Sequence, residues 1–251
     1  MASYGRLSTE FYDLDKPEAP PDAAAYYHDR AARSGGRVLE PMCGSGRFLL
    51  PLLASGIAID GVDASSEMLA ACRSSAARRG LTATLHRQPL ERLALPARYR
   101  FAFIPAGSLG LVHPRKALRA ALRALNRHLV PGAPLVVELP EPAGLASVAG
   151  RADAREVRRA DGCVIRYAWR AVAADAGVSF HGHYTLLAGD RVLAEESEAI
   201  LVARYEPADF LRELERAGFV RPRADAPEAD MAWLGDTGCI MYECEAAGGR
   251  K

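Results

Sequence analysis

Between Gly36 and Leu139, short apolar runs alternate with longer stretches whose apolar residues recur every three or four positions. That alternation predicts βα units on a parallel sheet. Strands are predicted at RVLE (37–40), IAIDGVD (57–63), ATLHR (83–87), FAFIP (101–105) and PLVVEL (134–139). A helix is predicted from Pro114 to about Val130, with Leu118, Ala121, Leu122, Leu125 and Leu129 on one stripe and Pro131-Gly132 stopping it. A second starts at Ser65, a good N-cap, turns Met68, Leu69, Cys72 and Ala76 inward and ends before Gly80. Beyond Leu139 the pattern becomes β-rich: residues 157–173, 177–187 and 191–205 are separated by turn pairs such as Asp-Gly and Gly-Asp. They predict an antiparallel meander inserted late in an α/β domain. A helix over EPADFLRELERAGF (206–219) and a strand over CIMYECEA (239–246) complete the pattern. The fold class expected is α/β, doubly wound, with a mostly parallel sheet.

Composition narrows the function classes. The chain has 251 residues, 49% of them hydrophobic and 25% charged, so it can bury a sizeable core and contains no polar low-complexity tract. A formal charge of +1 gives no basic footprint for a phosphate backbone, and nucleic acid is not an expected partner. The five cysteines are scattered and lack CxxC spacing, which suits reduced thiols in a cytoplasm. The opening residues have no apolar signal core and no stretch reaches the roughly 20 apolar residues of a membrane span, so no membrane association is expected.

The segment VLEPMCGSGRF (38–48) is a strand, an acid, a glycine-containing turn and a helix start. Such a turn exposes free backbone N–H groups, and glycine lets a ligand approach them closely. The reading without a ligand is a tight βα turn. Gly44-Ser45-Gly46 could open a dinucleotide fingerprint, but Leu49 stands at its third glycine position. Asp63 ends the second strand 17 positions beyond Gly46, where a carboxylate can accept both hydroxyl protons of a ribose. Glu40 is a second acid facing the turn. It would repel a pyrophosphate and suit an ammonium group, which favours a nucleoside bearing an amino acid over NAD.

VLEPMCGSGRF followed by GVDASSEML (61–69) resembles motif I and the following acidic motif of class I S-adenosylmethionine-dependent methyltransferases. The resemblance extends to YRFAFIPAGSLGLV (99–112), LNRHLVPGAPLVVEL (125–139) and FLRELERAGF (210–219). With the late meander and the opening YGRLSTEFYDLDKP, the layout is most similar to the small-molecule members, which cap the site with antiparallel strands. The resemblance implies a Rossmann-like core (36–150 and 205–251), an N-terminal lid (1–35) and an inserted β cap (151–204). It implies S-adenosylmethionine as cofactor, with Glu40, Cys43, Gly44 and Gly46 around its methionine part, Asp63 on the ribose hydroxyls, and Ala64 and Met68 beside the adenosine. Two positions depart from the family pattern. Proline stands at 89, where the family often has an aspartate for the adenine amino group, leaving Gln88 or the Leu90 backbone to substitute, and Met42 replaces the first glycine.

At the other end of such a cofactor the methyl is already activated, so the protein has to align the acceptor and exclude water. Tyr4 and Tyr12 in the lid could contact a cation with their ring faces, or only pack the lid. His181 and His183 share one face of a predicted strand, with Tyr184 on the other. They read as a general base, a metal pair or exposed polar residues; no third ligand stands at a recognisable spacing, and no metal is assigned. Arg166 and Trp169 on the preceding strand, and Glu138 at the end of the fifth, are candidate substrate contacts; for Trp169 packing is the competing reading. The function expected is methyl transfer to a nitrogen or oxygen of a small metabolite. The alternatives are a nicotinamide-dependent oxidoreductase and a non-catalytic S-adenosylmethionine-binding protein. The meander's outer strand offers an edge for a second copy, so a homodimer is also envisaged.

Overall fold

The computed structural model describes residues 4–225 and 238–247. Helices α1 (Arg6–Asp15) and α2 (Pro21–Arg33) precede the alternating core. The core runs β1 (Val38–Pro41), α3 (Leu49–Ala54), β2 (Ile59–Asp63), α4 (Ser66–Arg78), β3 (Thr84–Arg87), β4 (Phe101–Ile104), α5 (Arg115–His128) and β5 (Pro134–Pro140). After α6 (Pro142–Ser147) come β6 (Ala152–Arg158), β7 (Val164–Ala174), β8 (Gly177–Ala188) and β9 (Arg191–Ala203), then α7 (Pro207–Arg216), β10 (Phe219–Asp225) and β11 (Cys239–Ala246).

Seven strands form one sheet in the order β10-β11-β5-β4-β1-β2-β3, in which β1 to β5 pair in parallel and β11 runs antiparallel to both neighbours. Its central strands β1 and β4 are buried on both faces, as in a sheet covered on both sides. One face buries α5 and α7 through Leu118, Leu122, Leu125, Phe210 and Leu214; the other buries Tyr27, Leu49, Leu52 and Leu69 from α2, α3 and α4. The expected N-cap of α4 is present, with the Ser65 hydroxyl accepting the Met68 N–H at 3.2 Å.

Strands β6 to β9 form a separate four-stranded antiparallel sheet in sequential order. Helix α1 lies between this sheet and α4, burying Leu7 and Phe11 against Ile165, Tyr184 and Leu186. The start of α1 is capped from β9, because the Glu196 carboxylate accepts the Leu7 and Ser8 N–H groups at 2.9 and 3.0 Å. On the core side, the Tyr4 carbonyl accepts the Ser65 hydroxyl at 3.0 Å. Among the described residues no helix is long and apolar enough to cross a membrane.

Candidate active site

A cavity of about 720 Å³ lies at the carboxyl edge of the parallel strands, under α1 and the inner face of the β6–β9 sheet. Glu40, Cys43, Gly44, Asp63, Ala64, Met68, Gln88 and Leu90 line it, together with Tyr4 and Tyr12 from the lid. The strand ends thus bring most of the expected cofactor residues into one wall.

Glu40 is only 2% exposed. The backbone N–H of Leu49, at the start of α3, bonds its carboxylate, but Oε2 has no partner among the described residues. Burial first, and the Asp63 charge second, push its pKa well above the usual carboxylate range. Asp63 is held more firmly: Oδ2 accepts the Gly44 N–H at 2.9 Å and Oδ1 the Ser65 N–H at 2.8 Å. Burial still raises its pKa, against the lowering effect of these bonds. The Cys43 thiol, pushed well up by burial and then by Glu40, stays protonated. Burial likewise raises the Tyr4 and Tyr12 phenols, which present neutral rings to the cavity.

The two motif glycines do different work. Gly44 has φ +53°, and a Cβ built there would come no nearer than 3.7 Å to Met68 Sδ, so its backbone is open to the cavity. Gly46, at φ +89°, does not line the cavity; a Cβ there would meet Cys72 Sγ at 2.6 Å and Leu50 Cγ at 2.9 Å. The lack of a Cβ there lets α3 pack against α4. Met42 adopts φ +61°, the left-handed conformation that a glycine at that position would take more easily.

Five expected contacts lie elsewhere. Glu138 is buried outside the cavity, where Oε1 accepts the Tyr27 hydroxyl at 2.5 Å and Oε2 the Ala106 N–H at 2.7 Å, so it fixes the loop after β4 instead of meeting a substrate. Arg166 pairs with Glu156 at 2.7 Å on the exposed side of the cap. Trp169 packs against Phe180, with ring centroids 5.9 Å apart, beside α6 residues. His181 bonds the Ser179 hydroxyl at 3.2 Å, and His183 bonds Ser197 and Glu195 at 2.8 and 3.2 Å. Strand alternation puts both histidines on the outer face, in a shallow groove away from the cavity, while Tyr184 points in. The Gln88 side chain is also committed, exchanging hydrogen bonds with the backbone N–H and carbonyl of Ala94 at 2.7 and 2.9 Å. Among the described residues no three His, Cys, Asp or Glu side chains gather as a metal-holding group.

Sequence reasoning missed the wall opposite the strand ends. Tyr167 and Tyr184 stack at 4.4 Å and Phe11 packs against both. Glu198 of β9 lines this part; its Oε1 accepts the Tyr184 hydroxyl at 2.8 Å and its Oε2 is buried without a partner among the described residues. Burial raises its pKa. His113 is the one histidine among the lining residues, and Lys16, Arg47 and Arg155 also border the cavity. The alternation in SFHGHY already set Tyr184 apart from the histidines, but nothing local marks Glu198 or His113.

Residues 38–132 match the family model of a methyltransferase domain. The whole chain shares the Rossmann-like fold of solved methyltransferase structures. An S-adenosylmethionine-dependent methyltransferase from Clostridium acetobutylicum ATCC 824 superposes with a TM-score of 0.77 at 17% identity, over 96% of this chain and 97% of that one. DesVI of Streptomyces venezuelae gives 0.76 at 21% identity, over 97% of both chains. In sequence the chain is 28% identical over 145 residues to the dTDP-3-amino-3,6-dideoxy-alpha-D-glucopyranose N,N-dimethyltransferase of Streptomyces fradiae. The aligned part is 55% of each chain, so this protein spans about half the length of the curated relative it matches.

Proposed function

We propose that this protein transfers a methyl group from S-adenosylmethionine to an amino nitrogen of a small-molecule acceptor of the amino-sugar type. One observation carries the reading: a single cavity has an unpartnered, buried carboxylate oxygen on each of two opposite walls, Glu40 Oε2 and Glu198 Oε2. A buried carboxylate lacking a donor is costly, and each is matched by an N–H-bearing group of a ligand. Glu40 suits the ammonium of the methionine part, Asp63 the ribose hydroxyls, and Ala64 and Met68 the flanks of the adenosine. When bound, the cofactor supplies a methyl group already activated by its sulfonium. Glu198 then holds the acceptor amine between Tyr4, Tyr167 and Tyr184, whose ring faces favour positive charge. The lid and cap exclude water, and His113 takes the proton that the nitrogen releases. The sugar nitrogen follows the relative in Streptomyces fradiae, whose name specifies N,N-dimethylation of an amino sugar. The charge balance and free cysteines support a cytoplasmic protein acting on metabolites.

The test has two parts. Calorimetry with S-adenosylmethionine, its demethylated product S-adenosylhomocysteine and NAD should find the first two bound and NAD not. Labelled methyl transfer to a panel of amino sugars and their hydroxyl counterparts should then favour the amines, with Glu198→Gln impairing them. Binding of NAD alone, or transfer only to hydroxyls, would overturn the proposal.

A further inference from the structure

Behind β4 the cavity is lined by Pro105, Ala106, Gly107 and Ser108, a turn in which the Ser108 N–H donates to the Pro105 carbonyl at 3.3 Å. Its two central residues have φ +56° and +70°, a conformation that favours Gly, Asn or Asp at both positions. Gly107 suits it. Ala106 does not, because a Cβ disfavours the left-handed region, and its methyl is exposed, so packing does not hold it there. The hold comes from beneath. Glu138, 1% exposed, accepts the Ala106 N–H at 2.7 Å through Oε2 and the Tyr27 hydroxyl at 2.5 Å through Oε1. Tyr27, fully buried on α2, is itself stacked on Phe103 of β4 with ring centroids 4.6 Å apart.

The turn leads into the short 3-10 turn Ser108–Leu111 and on to His113, and Leu111, Val112 and His113 line the same cavity. Strand β4 lies on the far side of β1 from β2, so this wall stands away from Asp63. It also meets the cap: a Cβ at Gly110 would lie 3.1 Å from Val202 of β9. We infer that Glu138 is a positioning residue for methyl transfer. By holding Ala106 in the left-handed conformation it sets the wall from Pro105 to His113 against the acceptor, and it acts on alignment, not on cofactor affinity. The inference rests on the function reading above and adds a residue outside the cavity that controls its acceptor side.

The experiment measures labelled methyl transfer to the amino-sugar panel, and calorimetric binding of S-adenosylhomocysteine, in the wild type, Glu138→Gln, the double variant Tyr27→Phe/Glu138→Leu, and the double variant with Ala106→Gly added. Removing the hydroxyl and the carboxylate together leaves neither facing an apolar partner, so the double variant should fold. Without the carboxylate, Ala106 escapes a conformation whose cost corresponds to about 5–30-fold. The kcat should fall by that factor, while S-adenosylhomocysteine affinity stays within about twofold. Glycine takes the left-handed conformation without strain, so Ala106→Gly should recover most of the lost kcat, which a loss of stability alone would not allow. Glu138→Gln still accepts from the Ala106 N–H and should lose less; with and without Ala106→Gly, it makes the same test if the double variant does not fold. Undiminished kcat in the Glu138 variants, a loss that Ala106→Gly does not recover, or an equal fall in S-adenosylhomocysteine affinity would overturn the inference and leave the function reading intact. A wild type that methylates no amino sugar would overturn both.

Discussion

Replacing Glu40 with glutamine should make the unliganded protein more stable and a poorer binder. The side chain is 2% exposed, with one oxygen on the Leu49 N–H and the other unpartnered among the described residues. The substituted side chain would keep the first bond and leave a neutral amide where a carboxylate stood. Because an unsatisfied charge costs more than an unsatisfied neutral group, the gain is on the order of 1 kcal/mol, or about 2–4 °C in melting temperature for a chain of this size. The sign with pH follows from the raised pKa: the folded state holds this proton more tightly than the unfolded chain does. Stability is therefore lost as pH rises from the ordinary glutamate range through the folded value, and the advantage of Glu40→Gln should vanish on acidification. S-adenosylhomocysteine at about 100 times its dissociation constant stabilises the wild type by about 2.7 kcal/mol. Losing a charge-assisted bond weakens binding by about 10–150-fold, so the same concentration stabilises the variant by only about 0.3–1.4 kcal/mol. Differential scanning fluorimetry from pH 5 to 8, with and without the nucleoside, reads both effects. A variant that melts no higher than the wild type and keeps the full ligand shift would refute the reasoning.

Three further predictions follow from the geometry. Gly46→Ala should destabilise the fold by about 1–3 kcal/mol, because its Cβ would sit 2.6 Å from Cys72 Sγ, whereas Gly44→Ala, with 3.7 Å of room, should act chiefly on ligand affinity; denaturant titration and calorimetry separate the two. Glu196→Ala should loosen α1 at a cost of about 0.5–2 kcal/mol. Burial works to raise the Glu196 pKa, but the Leu7 and Ser8 N–H bonds outweigh it and lower it, so this contribution is present above the ordinary glutamate range and lost as pH falls through the folded value; proteolysis of the lid at pH 7 and below checks both statements. Once an acceptor is known, His181→Ala and His183→Ala should leave the rate within about twofold, while His113→Ala should lower kcat by about 100-fold or more; equal losses in all three would restore the outer-face histidines as candidates.

The parts of this fold written in local chemistry could be read from the sequence. Ser65 as a cap, Pro131-Gly132 as a stop and the apolar runs of β1 to β5 each depend on neighbours in the chain. Strand β10 was not legible: FVRPRAD carries Pro222 and three charged residues, and it becomes a strand by pairing with β11 across an irregularity at Arg221, whose φ is +53°. The site divides the same way. Glu40, Asp63 and Gly44 lie in motifs where strand end and turn fix their direction. Glu138 looks equivalent to Glu40, an acid within an apolar strand, but only the packing of α2 brings Tyr27 to engage it. For the cap, alternation separates Tyr184 from His181 and His183; which face meets the cavity depends on where α1 docks, and so does the exposure of Glu198 to a ligand.

The strap between cap and core has a mechanical consequence. One end of the first helix is clipped to β9 through Glu196, while the Tyr4 carbonyl just before it is tied to Ser65 beside Asp63 in the cavity wall. Glu198, two residues along the same strand, lines the cavity. A displacement of that strand by a ligand at Glu198 would be passed through the start of α1 to Ser65, so the two walls of the cavity would move together.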